Sequence, residues 1–190
     1  MTLDSKEHSV LFVCLGNICR SQACEGVMRH LVAERGLDGE VVVDSAGTGD
    51  YHLGELADPR MREAASSRGY ELTHRARQVV PEDFDRFGLI LAMDRSNLRD
   101  LRHLAGGRPN HVRLLSEFLP EGSPVDVPDP YYGGDQGFER VLDLVEQGCP
   151  EILDQLIPHP DPLPQRERGP DPLPSWKAGG ALSPRGRKPR

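Results

Sequence analysis

The stretch V-L-F-V-C-L-G-N-I-C-R-S, from Val10 to Ser21, decides the fold of this chain of 190 residues. Its first four residues are apolar and either β-branched, aromatic or leucine, which predicts a short buried strand. The residues after Ser21 have helical spacing, so Cys14 to Arg20 is predicted to be a strand-to-helix turn. Such a turn directs backbone N–H groups and the positive end of the helix dipole into one concavity, which suits a tetrahedral oxyanion.

The residue types inside this turn indicate a nucleophilic cysteine. Amide groups and the guanidinium of Arg20 stabilise the thiolate of Cys14, and Ser21 is placed to donate its hydroxyl to the sulfur. Gly16 lets the backbone approach an anion closely, and Asn17 tolerates the left-handed conformation. Because arginine offers two parallel donors to a phosphoryl group, the turn predicts attack on phosphorus and a phosphocysteine intermediate.

The string C-L-G-N-I-C-R-S resembles the signature loop of the low molecular weight protein tyrosine phosphatases. A nucleotide-binding P-loop is excluded because no Gly-Lys-Ser/Thr follows the turn. Matches to the same family continue in family order over roughly residues 8 to 157: D-S-A-G-T at Asp44–Thr48, A-D-P-R at Ala57–Arg60, H-R-A-R-Q at His74–Gln78, A-M-D-R-S-N-L at Ala92–Leu98 and V-P-D-P-Y-Y-G-G at Val127–Gly134.

Three positions depart from the family pattern. Gln22 stands where the family usually has a proline, Cys24 where a small residue is usual, and Tyr51 where some members carry tryptophan. A proline in the first helical turn fixes φ in advance, so its absence predicts a modestly weaker helix start. None of the three departures removes a group that the reaction needs.

Alternating strand and helix patterns predict an α/β fold. Such alternation indicates a parallel sheet with helices on both faces. The resemblance implies a single three-layer domain with a four-stranded sheet and the phosphate-binding loop after the first strand. The predicted strands are 10–13, 41–44, 89–93 and 112–114, and the predicted helices are 21–35, 59–69, 95–104 and 134–157, the last expected to be interrupted or restarted at Pro150.

A proton donor for the leaving oxygen is predicted in the loop V-D-V-P-D-P-Y-Y-G-G-D. The residues themselves leave Asp126, Asp129 and Asp135 as candidates, although the prolines on both sides of Asp129 favour an extended, exposed conformation there. The resemblance implies that Asp129 is the general acid and, in the second step, the general base.

The remaining candidate site residues surround this catalytic set. Tyr51, Tyr131 and Tyr132 offer flat apolar surface for a phenyl ring, or else pack in loops and core. The resemblance implies that Asn17 is held by hydrogen bonds to Ser21, Ser45 and His74. Asp94 either orients the loop or simply caps a helix. The phosphate-binding loop is predicted to comprise Leu15, Gly16, Asn17, Ile18, Cys19 and Ser21, together with Cys14 and Arg20.

Composition divides the chain near residue 157. Residues 158–190 hold nine of the 17 prolines, repeat P-D-P-L-P, and carry seven Lys or Arg against three acids. This segment therefore has a net charge of +4. Because the whole chain has a net charge of −7, residues 1–157 carry a net charge of −11. We expect a catalytic domain over 1–157 and a basic, disordered, low-complexity tail over 158–190. The acidic domain argues against nucleic-acid binding.

Cysteine use and the absence of long apolar segments predict a cytoplasmic protein. We also expect a monomer that acts without a cofactor or metal. The segment 1–8 is polar rather than signal-like, and no apolar stretch has the length of a membrane helix. The four cysteines fit a reducing compartment. Cys19, in the same turn as Cys14, is interpreted either as a disulfide partner that protects the nucleophile or as a small packed residue.

The function predicted from the sequence is hydrolysis of phosphotyrosine, or of small aryl phosphates, through a phosphocysteine. An arsenate reductase of the same fold needs two further cysteines near the third strand, and residues 70–110 contain none. A protein-arginine phosphatase carries threonine at the position of Ile18. A non-catalytic phosphopeptide-binding or redox-sensing module would need neither a nucleophile nor an acid, whereas this chain has Cys14, Arg20 and Asp129.

Overall fold

The computed structural model describes residues 6–107, 109–131 and 134–157, and of residue 135 only the backbone. Tyr132 and the segment 158–190 lie outside the described residues. The predicted domain boundary at residue 157 and the predicted disorder of the tail therefore remain predictions.

Four strands form one parallel sheet in the order β2-β1-β3-β4. The strands are β1 (Ser9–Cys14), β2 (Val42–Gly47), β3 (Leu89–Ala92) and β4 (Val112–Leu114). The helices are α1 (Arg20–Glu34), α2 (Pro59–Ser67), α3 (Asp83–Arg86), α4 (Arg95–Leu104) and α5 (Asp135–Leu156), with a 3-10 helix at Leu115–Phe118. Among the described residues the prediction of a four-stranded parallel sheet is confirmed.

The side chains of β1 alternate between two apolar cores. Val10, Phe12 and Cys14 face the core on the side of α1 and α5, whereas Leu11 and Val13 face the core beside α4. All five are almost completely buried, because helices cover both faces of the sheet. The molecule therefore has the predicted three layers, and Cys14 ends a central strand at the carboxyl edge of the sheet, where open α/β folds bind ligands.

Two expectations about the helices and strands differ most from the structure. β2 runs to Gly47 rather than ending at Asp44, because it pairs with β1 as far as Cys14. The predicted break at Pro150 is wrong, since α5 is continuous from Asp135 to Leu156.

Packing explains the continuity of α5. A proline inside a helix loses one hydrogen bond and crowds the carbonyl four residues earlier. Here the residues around Pro150, including Val145, Cys149, Ile152 and Leu153, are fully buried in the core, so tertiary contacts hold both halves in line. No helix within the described ranges combines the length and the apolar character that a membrane crossing requires.

Candidate active site

The turn between β1 and α1 forms the site. Cys14 is the last residue of β1 and Arg20 is the first residue of α1, so the catalytic candidates stand at the two ends of the turn. Asn17, halfway between them, has a φ of 53°. Asn17 therefore has the left-handed conformation that the sequence suggested from asparagine's tolerance of it.

Most carbonyl groups of this turn point away from its centre. Five of them accept hydrogen bonds from groups outside the turn or from α1: Cys14 from Thr48 N (2.8 Å), Leu15 from Gly49 N (2.9 Å), Asn17 from Gln22 Nε2 (2.7 Å), Ile18 from Asp58 N (2.8 Å) and Cys19 from Ala23 N (3.0 Å). In a trans peptide the C=O and the following N–H point in opposite directions. Five N–H groups are thereby turned towards the centre, those of Leu15, Gly16, Ile18, Cys19 and Arg20, and together they form an anion cradle.

The Cys14 sulfur lies at the base of this cradle and is held by two polar groups. The Asn17 backbone N–H donates to Sγ at 3.3 Å, and Ser21 Oγ lies 3.1 Å from Sγ. Both groups stabilise negative charge on the sulfur when the Ser21 hydroxyl acts as the donor. The contact with Ser21 is the one that the sequence predicted.

Arg20 is buried and is fixed by acidic partners. One guanidinium nitrogen donates to Asp94 Oδ2 (2.7 Å) and the Val127 carbonyl (3.1 Å), and the other donates to Asp129 Oδ2 (2.8 Å). Burial lowers the pKa of Arg20, but the negative charges of Cys14, Asp129 and Asp94 outweigh this effect and raise the pKa above its ordinary value. The guanidinium therefore stays charged at the mouth of the cradle.

Asp94 combines the two roles that the sequence left open. Its Oδ1 accepts from the Asn97 N–H at 2.8 Å and so caps the N-terminus of α4, while its Oδ2 holds Arg20. Asp94 thus links the position of α4 to that of Arg20.

Among the candidate acids, Asp129 is placed beside Cys14 and Arg20 at the edge of the pocket. Its Oδ1 accepts from the Tyr131 N–H (3.1 Å), and its side chain is 41% exposed. Asp126 lies outside the cradle, where it pairs with the Arg95 guanidinium at 2.7 Å, and hydrogen bonds from Arg95 lower the pKa of Asp126. An acid that is held ionised in this way is a poor proton donor.

The support of Asn17 differs from the expectation in one contact. Its Nδ2 donates to Ser21 Oγ and to Ser45 Oγ, both at 2.9 Å, as expected. Its Oδ1 accepts from the Arg77 backbone N–H at 3.0 Å, so the predicted hydrogen bond from His74 is wrong. The strand-like segment that contains Arg77 brings a main-chain donor to Oδ1, and this donor takes the place assigned to the histidine.

His74 instead belongs to a polar cluster behind the loop. Its Nδ1 lies 3.5 Å from Glu25 and 3.7 Å from Asp44. Ligand atoms of these three residues lie within 4.8 Å of one another, the spacing of a possible cation site. However, Arg29 donates to Glu25 at 2.8 Å and Arg77 donates to Asp44 at 2.9 Å, so the carboxylates already have cationic partners.

A pocket of about 430 Å³ opens above the cradle. Its walls include Tyr51 and Tyr131, which are 71% and 37% exposed and lie where the sequence predicted substrate contacts. His52 also lines the pocket, 6.2 Å from the Tyr131 ring centroid and hydrogen-bonded to Glu55 at 2.8 Å. His52 was not predicted from the sequence, where its only signal was its place directly after Tyr51.

Glu25 is a second residue that the sequence analysis missed. It is 4% exposed, and its Oε2 accepts from Ser45 Oγ at 2.6 Å, which in turn accepts from Asn17. The available signal was an acid on the apolar face of α1, four residues after Ser21. Glu25 thus fixes the direction of the Ser45 hydroxyl and makes Ser45 an acceptor for Asn17.

Cys19 lines the same pocket and is a free, buried thiol. Burial raises the pKa of the Cys19 thiol, and the negative charges of Asp58 and Cys14 raise it further. Cys19 therefore stays protonated at neutral pH and reacts poorly with peroxide. A disulfide would have to begin with oxidation of Cys14, and the Cys19 sulfur would then attack the oxidised Cys14 sulfur.

Comparison with known proteins gives a consistent result. Residues 9–159 match the family model described as low molecular weight phosphotyrosine protein phosphatase. A low molecular weight protein-tyrosine-phosphatase of Streptomyces coelicolor is 47% identical over 150 residues, which cover 77% of this chain and 92% of the relative.

Two solved structures illustrate the similarity of the fold. The structure of YfkJ from Bacillus subtilis matches with a TM-score of 0.74 at 41% identity, covering 78% of this chain and 93% of that one. The structure of a Drosophila arginine phosphatase matches with a TM-score of 0.71 at 32% identity, covering 76% of this chain and 95% of that one.

Proposed function

Because the chain belongs to the low molecular weight phosphotyrosine protein phosphatase family, we propose that it hydrolyses phosphotyrosine through a phosphocysteine on Cys14. The chain is a protein tyrosine phosphatase; the roles of its individual residues are our assignment. The observation that carries the assignment is one pocket that contains the Cys14 sulfur, the amide cradle, the Arg20 guanidinium and the Asp129 carboxyl group.

In the first step the Cys14 thiolate attacks phosphorus. A sulfur–phosphorus bond forms while the bond from phosphorus to the aryl oxygen breaks, and Asp129 gives its proton to that oxygen. The cradle N–H groups and Arg20 bind the three non-bridging oxygens, where charge is spread in the transition state. No metal ion is required by this scheme, since Arg20 and the amides supply the positive field.

In the second step a water molecule attacks the phosphocysteine. Asp129, now a carboxylate, accepts the proton of the water, and the Cys14 thiolate leaves with the electrons of the sulfur–phosphorus bond. The Ser21 hydroxyl and the Asn17 N–H, which already contact the sulfur, stabilise it as a leaving group.

The ion pair between Arg20 and Asp129 links substrate binding to acid catalysis. The Arg20 guanidinium holds the Asp129 carboxyl group at 2.8 Å, so Asp129 must leave Arg20 to reach the leaving oxygen. An incoming phosphoryl group binds the Arg20 guanidinium more strongly than the Asp129 carboxylate does, because it offers two oxygens and more negative charge. Substrate therefore releases Asp129 towards the leaving oxygen.

The pocket walls favour phosphotyrosine. The exposed rings of Tyr51 and Tyr131 flank the entrance and suit a phenyl group between them. Ile18 lines the pocket where the protein-arginine phosphatases carry threonine, and its bulk disfavours a guanidinium substrate. The proposed active state is a monomer. The proposed location is a reducing compartment such as the cytoplasm, which keeps the Cys14 thiol active.

The test is a comparison of Asp129→Asn with Asp126→Asn. Asp129→Asn should slow turnover of phosphotyrosine by roughly 10²–10⁴, the contribution of general acid catalysis, and should slow esters with stable leaving groups less. Its pH profile should lose the alkaline limb that reports the protonated acid. Asp126→Asn serves as a matched control and should retain activity.

A second variant tests the covalent step. Cys14→Ser should abolish turnover but still bind inorganic phosphate, because the amide cradle and Arg20 remain. Appreciable turnover by Cys14→Ser, or wild-type rates in Asp129→Asn alongside a crippled Asp126→Asn, contradicts the assignment. Turnover that is lost with a metal chelator also contradicts it.

A further inference from the structure

We propose that Gln22 is a positioning residue of the reaction, because its side chain holds the Asn17–Ile18 peptide in the orientation that turns the Ile18 N–H into the cradle. Nε2 of Gln22 donates to the Asn17 carbonyl oxygen at 2.7 Å, and Gln22 is 1% exposed. The inference rests on the proposed function, since it concerns binding of the phosphoryl oxygens.

Gln22 is distinguished by the chemistry of its contact. Of the five outward carbonyl contacts described above, four use main-chain N–H groups, which the sheet, the loops and α1 fix in place. The Asn17 carbonyl alone in this set depends on a side chain. A substitution at position 22 therefore removes a cradle contact without changing the backbone, which is not possible for the other four.

The position of the contact makes it consequential. The carbonyl that Gln22 holds belongs to Asn17, whose φ of 53° lies in the left-handed region, which residues other than glycine and asparagine rarely adopt. The next peptide is held by Asp58 N–H on the Ile18 carbonyl. Without Gln22, the Asn17–Ile18 peptide is the one free to rotate between two fixed neighbours, and rotation takes the Ile18 N–H out of the cradle.

The other end of the Gln22 amide supports this interpretation. Its Oε1 is buried and has no hydrogen-bond partner among the described residues, a costly arrangement. The orientation is nevertheless fixed, because rotating the amide would place Oε1 against the Asn17 oxygen. The NH₂ group is therefore the functional end of this side chain.

The experiment compares Gln22→Met and Gln22→Glu with the wild-type protein. Gln22→Met keeps a similar length and removes the donor, so kcat/KM for p-nitrophenyl phosphate and the affinity for vanadate should both fall by about 10- to 100-fold at every pH. This is less than the loss on deleting an oxyanion donor, because the Ile18 N–H is displaced rather than absent. The urea midpoint of each variant shows that the measured protein is folded.

Gln22→Glu adds a readout that a merely structural role would not move. When protonated, the new carboxyl group has an O–H that donates to the Asn17 carbonyl, so activity relative to wild type should recover as the pH falls. When ionised, it places an acceptor against an acceptor and activity should be lost. Taking the ratio to wild type at each pH removes the titrations that the two proteins share.

Gln147→Met is the matched control. Gln147 also donates from Nε2 to a helix carbonyl, that of Asp143 at 2.9 Å, but it is exposed on α5. It should stay within about twofold of wild type, the range of an inconsequential surface substitution.

Three outcomes overturn the role of Gln22. The first is a Gln22→Met protein that keeps wild-type kcat/KM and vanadate affinity. The second is a loss of activity seen only in Gln22→Glu, at pH values where its new carboxyl group is ionised, because this would show an effect of charge alone. The third is a lowered urea midpoint with unchanged kcat/KM, which would show a structural role. Failure of the proposed function is distinct, because wild type itself would then not turn over the ester.

Discussion

Asn17 offers a quantitative test of how the cradle is held. We consider two substitutions, Asn17→Gly and Asn17→Ala. Both remove the three side-chain hydrogen bonds to Ser21, Ser45 and the Arg77 N–H, which measure 2.9, 2.9 and 3.0 Å. Only alanine also places an unsupported Cβ at a φ of 53°, so the pair separates hydrogen bonding from backbone strain.

The expected magnitudes follow from these contacts. Asn17 is fully buried, and net values of roughly 0.5–1.5 kcal/mol for each hydrogen bond predict that Asn17→Gly lowers the free energy of unfolding by about 2–4 kcal/mol. Asn17→Ala should lower it by about a further 1 kcal/mol, the usual cost of a left-handed conformation for an L-residue. Both variants should bind vanadate more weakly, because the backbone N–H of residue 17, which contacts Cys14, is held less firmly without the three side-chain hydrogen bonds.

Urea denaturation at neutral pH measures the free energy of unfolding, and inhibition by vanadate measures the cradle. If Asn17→Gly unfolds with the wild-type free energy, the three hydrogen bonds do not hold the loop. If Asn17→Ala and Asn17→Gly are equally stable, the argument from backbone strain is refuted. Ser67→Ala, which removes an exposed hydroxyl contact on α2, is the control.

Three further predictions concern oxidation, acid stability and the tail. Cys19→Ser should make inactivation by mild peroxide harder to reverse with dithiothreitol than in wild type, and equal recovery would remove Cys19 from a protective role. Hydrogen bonds from Arg60 lower the pKa of Asp58 against the opposing effect of burial. The stability advantage of wild type over Asp58→Asn should therefore be complete above about pH 4, the unfolded-state pKa, and vanish as the pH falls further, as urea titrations would show. Because its composition disfavours a packed core, deletion of residues 158–190 should leave turnover of p-nitrophenyl phosphate unchanged and shift the thermal midpoint by less than about 4 °C.

The part of the site that lies close together in the chain was predictable from the sequence. Cys14, Arg20 and Ser21 fall within one turn, so spacing alone brings them together. Asp129 lies more than a hundred residues away, and its placement was predicted from the family resemblance and not from physical reasoning. Its neighbours Asp126 and Asp135 have equally suitable side-chain chemistry, and the structure distinguishes Asp126 by its place outside the pocket and by its contact with Arg95.

The missed residues share a physical cause. Glu25 and His52 have contacts with Ser45 and Tyr131 that tertiary packing brings near, and side chains of their kinds are common on exposed helices and loops. The prediction for His74 was wrong for a similar reason, because in the folded chain the main-chain N–H of Arg77 donates to Asn17 Oδ1. The error at Pro150 reflects helix propensity being overridden by buried neighbours on both sides.

The two apolar faces of β1 have a consequence for folding. In a strand with one solvent-exposed face, a shift of the pairing register by one residue moves the apolar side chains from the core to solvent. Such a shifted register is strongly disfavoured. Here both faces are apolar, so hydrophobic burial discriminates poorly between correct and slipped pairing of β1 with β2. The polar contacts beyond the strand ends, from Thr48 and Gly49 to the carbonyls of Cys14 and Leu15, are satisfied in one alignment only. The loop assigned to phosphate binding thus also favours the correct alignment of the central strands.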